Sequence, residues 1–346
     1  MVESSHYKRS LIIAPSWVGD MVMAQSLLKA LKLKHPEMEI DVLAPAWCSA
    51  LTDYMPEVDQ LIESPFQHKK LSLLKRWKLA KQLRGNYDVA YVLPNSLKSA
   101  LVPFFARIPM RIGFIGEQRY GLLNKRLILN KKKFPLMVQR FIALSEPDSD
   151  EPIQRESIPL PELKVNTKTQ TSILKNHSIE INLDSKILIL CPGAEFGSSK
   201  QWPAEHFSAV ARFYIDQGWQ VWLMGSENDK AVCQDINSMA ANECNNLAGT
   251  TSLDEAVVLM SVADLVISND SGLMHIAASL QKPLIAVYGS TDPSFTPPLH
   301  DKAKVISLEL DCSPCFKRNC PLKHLNCLKQ LQPSLVLESS QALMKF

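Results

Sequence analysis

Glycine is scarce, at 12 of 346 residues, about half the usual ~7%. Neither G-x-G-x-x-G nor G-x-x-x-x-G-K-[ST] occurs, so a dinucleotide fingerprint and a Walker phosphate loop have no support. G-x-S-x-G is also missing, which removes the nucleophile elbow of a serine hydrolase. The D-x-D spacing that would hold a divalent ion on a nucleotide diphosphate occurs once, at Asp148-Ser149-Asp150, in an acidic, proline-rich stretch that reads as solubilising charge. The short apolar run near the N-terminus is broken by Pro15 and Trp17. Neither a signal peptide nor a membrane span is expected there, and a cytoplasmic location is.

What is present is ordinary globular composition, 46% hydrophobic and 21% charged, which excludes a disordered, collagenous or coiled-coil chain. The length suggests two domains. The net charge of +3 is unevenly spread: residues 1–170 carry 25 Lys+Arg against 17 Asp+Glu, and the remainder 13 against 18. The front half therefore suits an anionic partner, unless the excess is only a solvated basic face. Eight cysteines in a chain of this length do not make a secreted disulfide scaffold. Cys48, Cys191, Cys233 and Cys244 are isolated in apolar or helical contexts and read as small core residues. Cys312, Cys315, Cys320 and Cys327 follow a C-x2-C-x4-C-x6-C spacing, dense enough for a structural zinc site. Reduced thiols in a surface loop are the alternative. No metal is expected in catalysis.

Runs of β-branched and apolar residues alternate with 3.6-period stretches, the pattern of parallel strands joined by crossover helices. Strands are predicted at Ser10–Ala14, Ile40–Leu43, Gln60–Ile62, Val89–Leu93 and Ile112–Phe114. A second series is predicted at Ile187–Cys191, Gln220–Met224, Leu265–Ser268 and Leu284–Tyr288. The first helix should begin near Gly19–Asp20 and stop before Pro36, and others should cover Lys69–Arg84 and a stretch around Pro103. In the second series, helices should start at Pro203, Asn228, Leu253 and Gly272. Residues 145–164 are rich in proline and acid and read as a linker. The predicted fold class is α/β, two doubly wound Rossmann-like lobes facing each other across a cleft. An N-terminal lobe spans residues 1–165 and a C-terminal lobe 166–330. Residues 331–346 form a helix that packs back toward the first lobe. In such sheets ligands bind beyond the carboxyl ends of the strands.

Three loops at such strand ends carry chemistry. After the first strand comes A-P-S-W-V-G-D, where Asp20 either favours the dipole of the helix it opens or accepts a proton from a substrate hydroxyl. After Ile187–Cys191 comes C-P-G-A-E-F-G-S-S-K-Q-W-P, where Lys200 stands near a helix entrance and can hold anionic oxygens by point charge and dipole. After Leu265–Ser268 comes N-D-S-G-L-M-H, where Asp270, Ser271, Gly272 and His275 share one strand-to-helix turn suited to phosphate or ribose oxygens. In the front half, Lys98, Arg107, Arg111, Arg119, Lys125 and Arg126 gather around aromatics and short polar loops. This surface suits phosphate and carboxylate groups on a glycolipid better than nucleic acid. Leu71, Leu74, Trp77 and Leu79 interleave with the basic residues of Lys69–Arg84, which either rests on an anionic membrane surface or packs on the core.

The stretches P-S-W-V-G-D-M-V-M-A-Q-S-L, Y-V-L-P-N-S-L-K-S-A-L-V-P-F-F-A-R-I-P, R-Y-G-L-L-N, C-P-G-A-E-F-G-S-S-K-Q-W-P, N-D-S-G-L-M-H-I-A-A and Y-G-S-T-D-P-S-F-T-P-P-L resemble the bacterial lipopolysaccharide heptosyltransferases, glycosyltransferase family 9. They spread over nearly the whole chain. The resemblance implies a GT-B glycosyltransferase without cofactor, inverting and metal-independent. Its donor would be ADP-L-glycero-β-D-manno-heptose and its acceptor heptosyl-Kdo2-lipid A, met peripherally at the inner-membrane surface. By motif, Asp20 corresponds to the family's base. Lys200, Asp270, Ser271, Gly272 and His275, with Glu195 from the same loop as Lys200, fall in the donor site. Asn95, Ser96, Lys98, Arg119 and Tyr120 fall in the acceptor site. Transfer at another core position, a sugar-nucleotide 2-epimerase on the same scaffold and a two-lobed solute-binding protein are the competing readings.

Overall fold

The computed structural model describes residues 7–66, 70–176 and 185–345. It divides into two compact units, Met1–Pro161 and Glu162–Phe346, each built on one six-stranded sheet. The division falls inside the proline-rich 145–164 stretch, where Lys125 pairs with Asp148 and Lys133 with Asp150.

The first unit runs β1 (Arg9–Ile13), α1 (Val18–Lys34), β2 (Glu39–Pro45), α2 (Ala46–Ser49), β3 (Gln60–Ser64), α3 (Leu73–Leu83), β4 (Val89–Val92), α4 (Leu101–Phe105), β5 (Met110–Phe114), β6 (Lys125–Leu127) and α5 (Met137–Ile142). The strand order is β3-β2-β1-β4-β5-β6, parallel throughout. The order reverses between β1 and β4, where a doubly wound sheet opens its ligand crevice. Ile13 lies opposite Val92, and the Leu93 amide donates to the Ile13 carbonyl. The loops leaving β1 and β4 therefore start side by side.

The second unit runs α6 (Thr167–Asn176), β7 (Ile187–Cys191), α7 (Ala204–Ile215), β8 (Gln220–Leu223), α8 (Lys230–Met239), β9 (Asn245–Asn246), α9 (Leu253–Met260), β10 (Leu265–Asn269), α10 (Gly272–Ser279), β11 (Leu284–Val287), β12 (Ala303–Ile306), α11 (Asn326–Lys329) and α12 (Pro333–Leu343). Its order is β12-β11-β10-β7-β8-β9, again parallel. The reversal here lies between β7 and β10, with Cys191 opposite Ser268.

The strands beside both reversals are apolar on both faces, as a sheet covered by helices on each side demands. In β7 and β10 every residue is buried. Three strands have no counterpart in the sequence reading: β6, β9 and β12. Each is an outermost strand of two to four residues, too short and too polar to form an apolar run. The helix expected from Lys69 begins at Leu73, and Lys69 itself lies outside the described residues. Around Pro103 the chain makes a 3-10 turn at Leu97–Ala100 before α4. The C-terminal helix α12 packs on α7, β11 and β12 of its own unit. There Val336 is buried, and the Tyr214 and Ser340 hydroxyls are 2.7 Å apart.

Candidate active site

In the second unit, the loops leaving β7 and β10 bring together residues seventy positions apart. The Lys200 ammonium lies 2.5 Å from Asp270 Oδ2, and both side chains are largely buried. The Thr291 hydroxyl donates to the same carboxylate oxygen. The Phe196 ring lies 5.0 Å from the Lys200 nitrogen, so the cation is held by a carboxylate and an aromatic face together. His275, one turn into α10, is buried. Desolvation pushes its pKa down to about 4, Asp270 opposing the shift and Lys200 adding to it. The imidazole is neutral at physiological pH, able to donate from one nitrogen and accept at the other.

Ser271 is the N-cap of α10: its hydroxyl accepts from the Met274 amide at 3.4 Å and stands 3.2 Å from the Ser268 hydroxyl. Gly272 is the first residue of the helix. The helix N-terminus, with amides unpaired by the helix itself, therefore opens beside the Lys200–Asp270 pair and can bind an anion. Glu195 is more peripheral, exposed and 3.4 Å from the Asn228 side-chain nitrogen.

The sequence reading missed the residues that hold these loops. Asn269 is fully buried; its amide nitrogen donates to the Pro192 carbonyl at 2.6 Å, and its side-chain oxygen accepts from the Trp202 amide at 3.1 Å. One side chain thus locks the loop after β7 to the end of β10. A Cβ at Gly193 would collide with the Asp229 carboxyl, so any larger residue there would push the Asp229 side chain away from that loop. The signal available was the N-D in N-D-S-G: the predicted strand stops at Ser268 and places Asn269 in the loop, whereas in the structure Asn269 is the last residue of β10.

In the first unit, Asp20 lies in the first turn of α1, half-buried, just beyond the end of β1. Trp47 closes one side of this loop: its indole N–H donates to the Ser16 carbonyl at 2.8 Å. A cavity of about 90 Å³ at the carboxyl ends of β1 to β4 is lined by Ser16, Trp47, Phe66, Arg76, Ser96 and Lys98 among others. Arg76 is buried, with its guanidinium 4.0 Å from the Phe66 ring centre and a hydrogen bond of 3.0 Å to the Lys98 carbonyl. Asn95 and Tyr120 are exposed on loops nearby.

Arg119 requires a correction. Expected among the acceptor-binding residues, it is 1% exposed. Its guanidinium donates to the carbonyls of Pro94, Ser96 and Phe114 and to the side chains of Ser99 and Asn95. Burial pushes its pKa down to about 10, partly opposed by Glu117, which leaves it charged at neutral pH. It is a brace under the 94–99 loop, because a five-donor fork satisfies carbonyls that no apolar residue could. Leu71, Leu74 and Trp77, for which core packing was one reading, are exposed, whereas Leu79 packs against the core and Arg76, Ala80 and Leu83 form the buried face of α3.

The isolated cysteines Cys48, Cys191, Cys233 and Cys244 are buried, and burial raises their pKa values. Cys312, Cys315, Cys320 and Cys327 line one small cavity. Among the described residues, no group of three or more His, Cys, Asp and Glu is arranged as a metal site.

Comparison with known proteins fits this geometry. The family model of glycosyltransferase family 9 (heptosyltransferase) matches residues 76–326. Lipopolysaccharide heptosyltransferase 2 of Escherichia coli K12 is 44% identical over 343 residues, covering 96% of this chain and 98% of its own. Lipooligosaccharide heptosyltransferase 2 of Haemophilus influenzae is 48% identical over 306 residues, 86% of this chain and 88% of its own. The solved structure of E. coli ADP-heptose lps heptosyltransferase II superposes with a TM-score of 0.84 at 41% identity, over 97% of this chain and 98% of that one. The chain belongs to glycosyltransferase family 9, the heptosyltransferases.

Proposed function

We propose that the chain moves L-glycero-D-manno-heptose from ADP-heptose to the first heptose of the lipopolysaccharide inner core, on heptosyl-Kdo2-lipid A, with inversion and without a metal. The observation that carries this reading is the Lys200–Asp270 pair at the β7/β10 reversal, set beside the N-terminus of α10. A cation and a helix N-terminus at one point suit a leaving group that gains negative charge as its bond to sugar C1 breaks. Neutral His275 adds a hydrogen bond without adding charge.

Asp20 performs the other task. Its carboxylate accepts the proton of the acceptor's 3-hydroxyl as that oxygen attacks C1 from the face opposite the diphosphate. Lys98, lining the cavity at the strand ends of the same unit, faces the anionic groups of the acceptor. The metal-free step is supported by the sequence's single D-x-D, Asp148-Ser149-Asp150, being engaged with Lys125 and Lys133.

The acceptor is a lipid, and α3 supplies the contact with its membrane. Leu71, Leu73, Leu74 and Trp77 are exposed among Lys70, Lys75, Lys78 and Lys81, the composition of a helix lying on an anionic surface. No helix among the described residues is long and apolar enough to cross a membrane. The test is a transfer assay with ADP-heptose and Kdo2-lipid A bearing zero, one or two heptoses, with and without a chelator. Turnover only with the one-heptose acceptor, unchanged by chelator, is the expected result. Activity restored by magnesium after chelation would overturn the metal-free mechanism, and isomerisation of ADP-heptose without acceptor would favour an epimerase.

A further inference from the structure

The segment 312–327 has no part in the chemistry above, yet it is built around sulfur. Cys312, Cys315, Cys320 and Cys327 line a single cavity of about 20 Å³, with His324 also on its wall. The backbone turns sharply after two of them: Phe316 (φ 54°) follows Cys315, and Lys323 (φ 59°) and Leu325 (φ 55°) follow Cys320. Left-handed conformations at residues other than glycine cost roughly 1 kcal/mol or more each. Three in ten residues need something to hold them. Apolar burial holds only the end of the segment, at Cys327 and Leu328, because Phe316 and Leu322 are exposed.

We propose that Cys312, Cys315, Cys320 and Cys327 together bind one thiophilic metal ion, zinc or iron, as a tetrathiolate. Four sulfurs at this spacing are the donor set both ions take. Binding releases the four thiol protons to solvent and involves no redox change. The dianionic cluster that results with a divalent ion is flanked by Lys317, Arg318 and Lys323. The four side chains line one cavity but are not already gathered as a metal site among the described residues, so binding requires the sulfurs to close on the ion.

The site has a mechanical consequence. The Ser199 amide donates to the Arg318 carbonyl at 3.2 Å, and the Ser199 hydroxyl donates to the Lys317 carbonyl. The Phe316 amide donates to the Ser290 carbonyl at 2.7 Å. Gly197 (φ 150°) passes so close that a Cβ there would lie 2.4 Å from the Arg318 carbonyl oxygen. The Phe196 ring is shared by Lys200 and Arg318, at 5.0 and 5.5 Å. The ion thereby clamps residues 316–319 against the loop that ends in Lys200. This second consequence rests on Lys200 being the diphosphate residue; the metal site does not.

Elemental analysis of the purified full-length protein tests the site, with about one zinc or iron per chain expected. Four of its thiols should resist a thiol reagent until the ion is removed. Reloading the chelated protein with cobalt should give the intense visible absorption of tetrahedral cobalt thiolate. Cys320→Ser should lose most of the metal; if that variant does not fold, the cobalt spectrum of the unsubstituted chain still decides. No bound metal with all four thiols reactive, or thiols recovered only on reduction, overturns the proposal. Metal removal should also weaken ADP binding about tenfold. Unchanged ADP affinity after metal loss overturns the clamp alone, and failure of the loaded protein to bind ADP would instead count against the donor-site reading.

Discussion

Lys200 and Asp270 meet at 2.5 Å although the chain places them on loops after different strands, β7 and β10. Parallel pairing of those strands, with Cys191 opposite Ser268, sets their loops side by side, and Asn269 bonds both loops at once. The pair keeps the ammonium oriented before any ligand arrives, so a diphosphate meets a fixed cation rather than a mobile surface lysine.

Lys200→Ala should therefore act on binding. Loss of a charge-assisted contact to a phosphate is worth roughly 1.5–3 kcal/mol, a 10- to 150-fold rise in the dissociation constant for ADP-heptose. Isothermal titration with ADP-heptose measures it. An unchanged dissociation constant would remove Lys200 from the donor site. Asp270 would be left buried without its partner, so a fall in unfolding free energy should accompany the binding loss.

Asp20→Asn should separate the two halves of the reaction. The amide keeps the shape of the side chain but accepts no proton at neutral pH, so turnover should fall by about 10²–10⁴-fold. With the donor bound by the second unit as proposed, ADP-heptose affinity should stay within about twofold of the starting value. Single-turnover transfer and titration on the same preparation read both.

The architecture was legible where burial is complete. Strands β7 and β10, with every residue buried, can only be apolar runs, and the loops after them inherit their place from the sheet order. The edge strands β6, β9 and β12 were invisible for the opposite reason. Lys200 and Asp270 could be placed on the loops after β7 and β10 from those apolar runs, but their pairing at 2.5 Å depends on the sheet order and could not be read from the sequence. Arg119 was misread: its neighbours are aromatic and polar, and nothing in R-Y-G-L-L-N tells a buried fork from an exposed one. Only the carbonyls of Pro94 and Phe114, both more than four residues away, reveal its task.

Arg119 is thus expected to govern stability before binding. Arg119→Ala would strand the carbonyls of Pro94 and Phe114, at roughly 1–3 kcal/mol for each buried group left unsatisfied. Urea denaturation should show a lower midpoint. Arg119→Lys should recover little, since one ammonium cannot span acceptors that a planar fork reaches from two nitrogens. Full recovery by lysine would show that charge alone is what the loop needs.

His275 gives the second unit a pH dependence. Its pKa is about 4 in the folded chain and about 6.5 when unfolded, so between these values the unfolded state binds more protons. Unfolding free energy should be at its full value above pH ~6.5 and decline as the pH falls toward about 4, by an amount on the order of 3 kcal/mol over the whole interval. His275→Gln removes the titration and should flatten that decline. Urea midpoints at pH 7 and pH 5 for both chains are the measurement, and equal slopes would mean that the histidine charges as readily folded as unfolded.

The proposed membrane attachment through α3 can be tested apart from catalysis in solution. Leu74 and Trp77 are exposed at 76% and 42%, so Leu74→Glu and Trp77→Glu break no core packing and should move the urea midpoint little. Each replaces apolar surface by a charge of the same sign as an anionic bilayer. Co-sedimentation with vesicles of mixed neutral and anionic phospholipid should fall several-fold for each variant, and should fall for the unsubstituted chain on adding salt, because the lysines of α3 act through a screened attraction. Transfer to a detergent-dispersed acceptor should be unaffected. Undiminished vesicle binding by the double variant would assign the lipid contact to another surface.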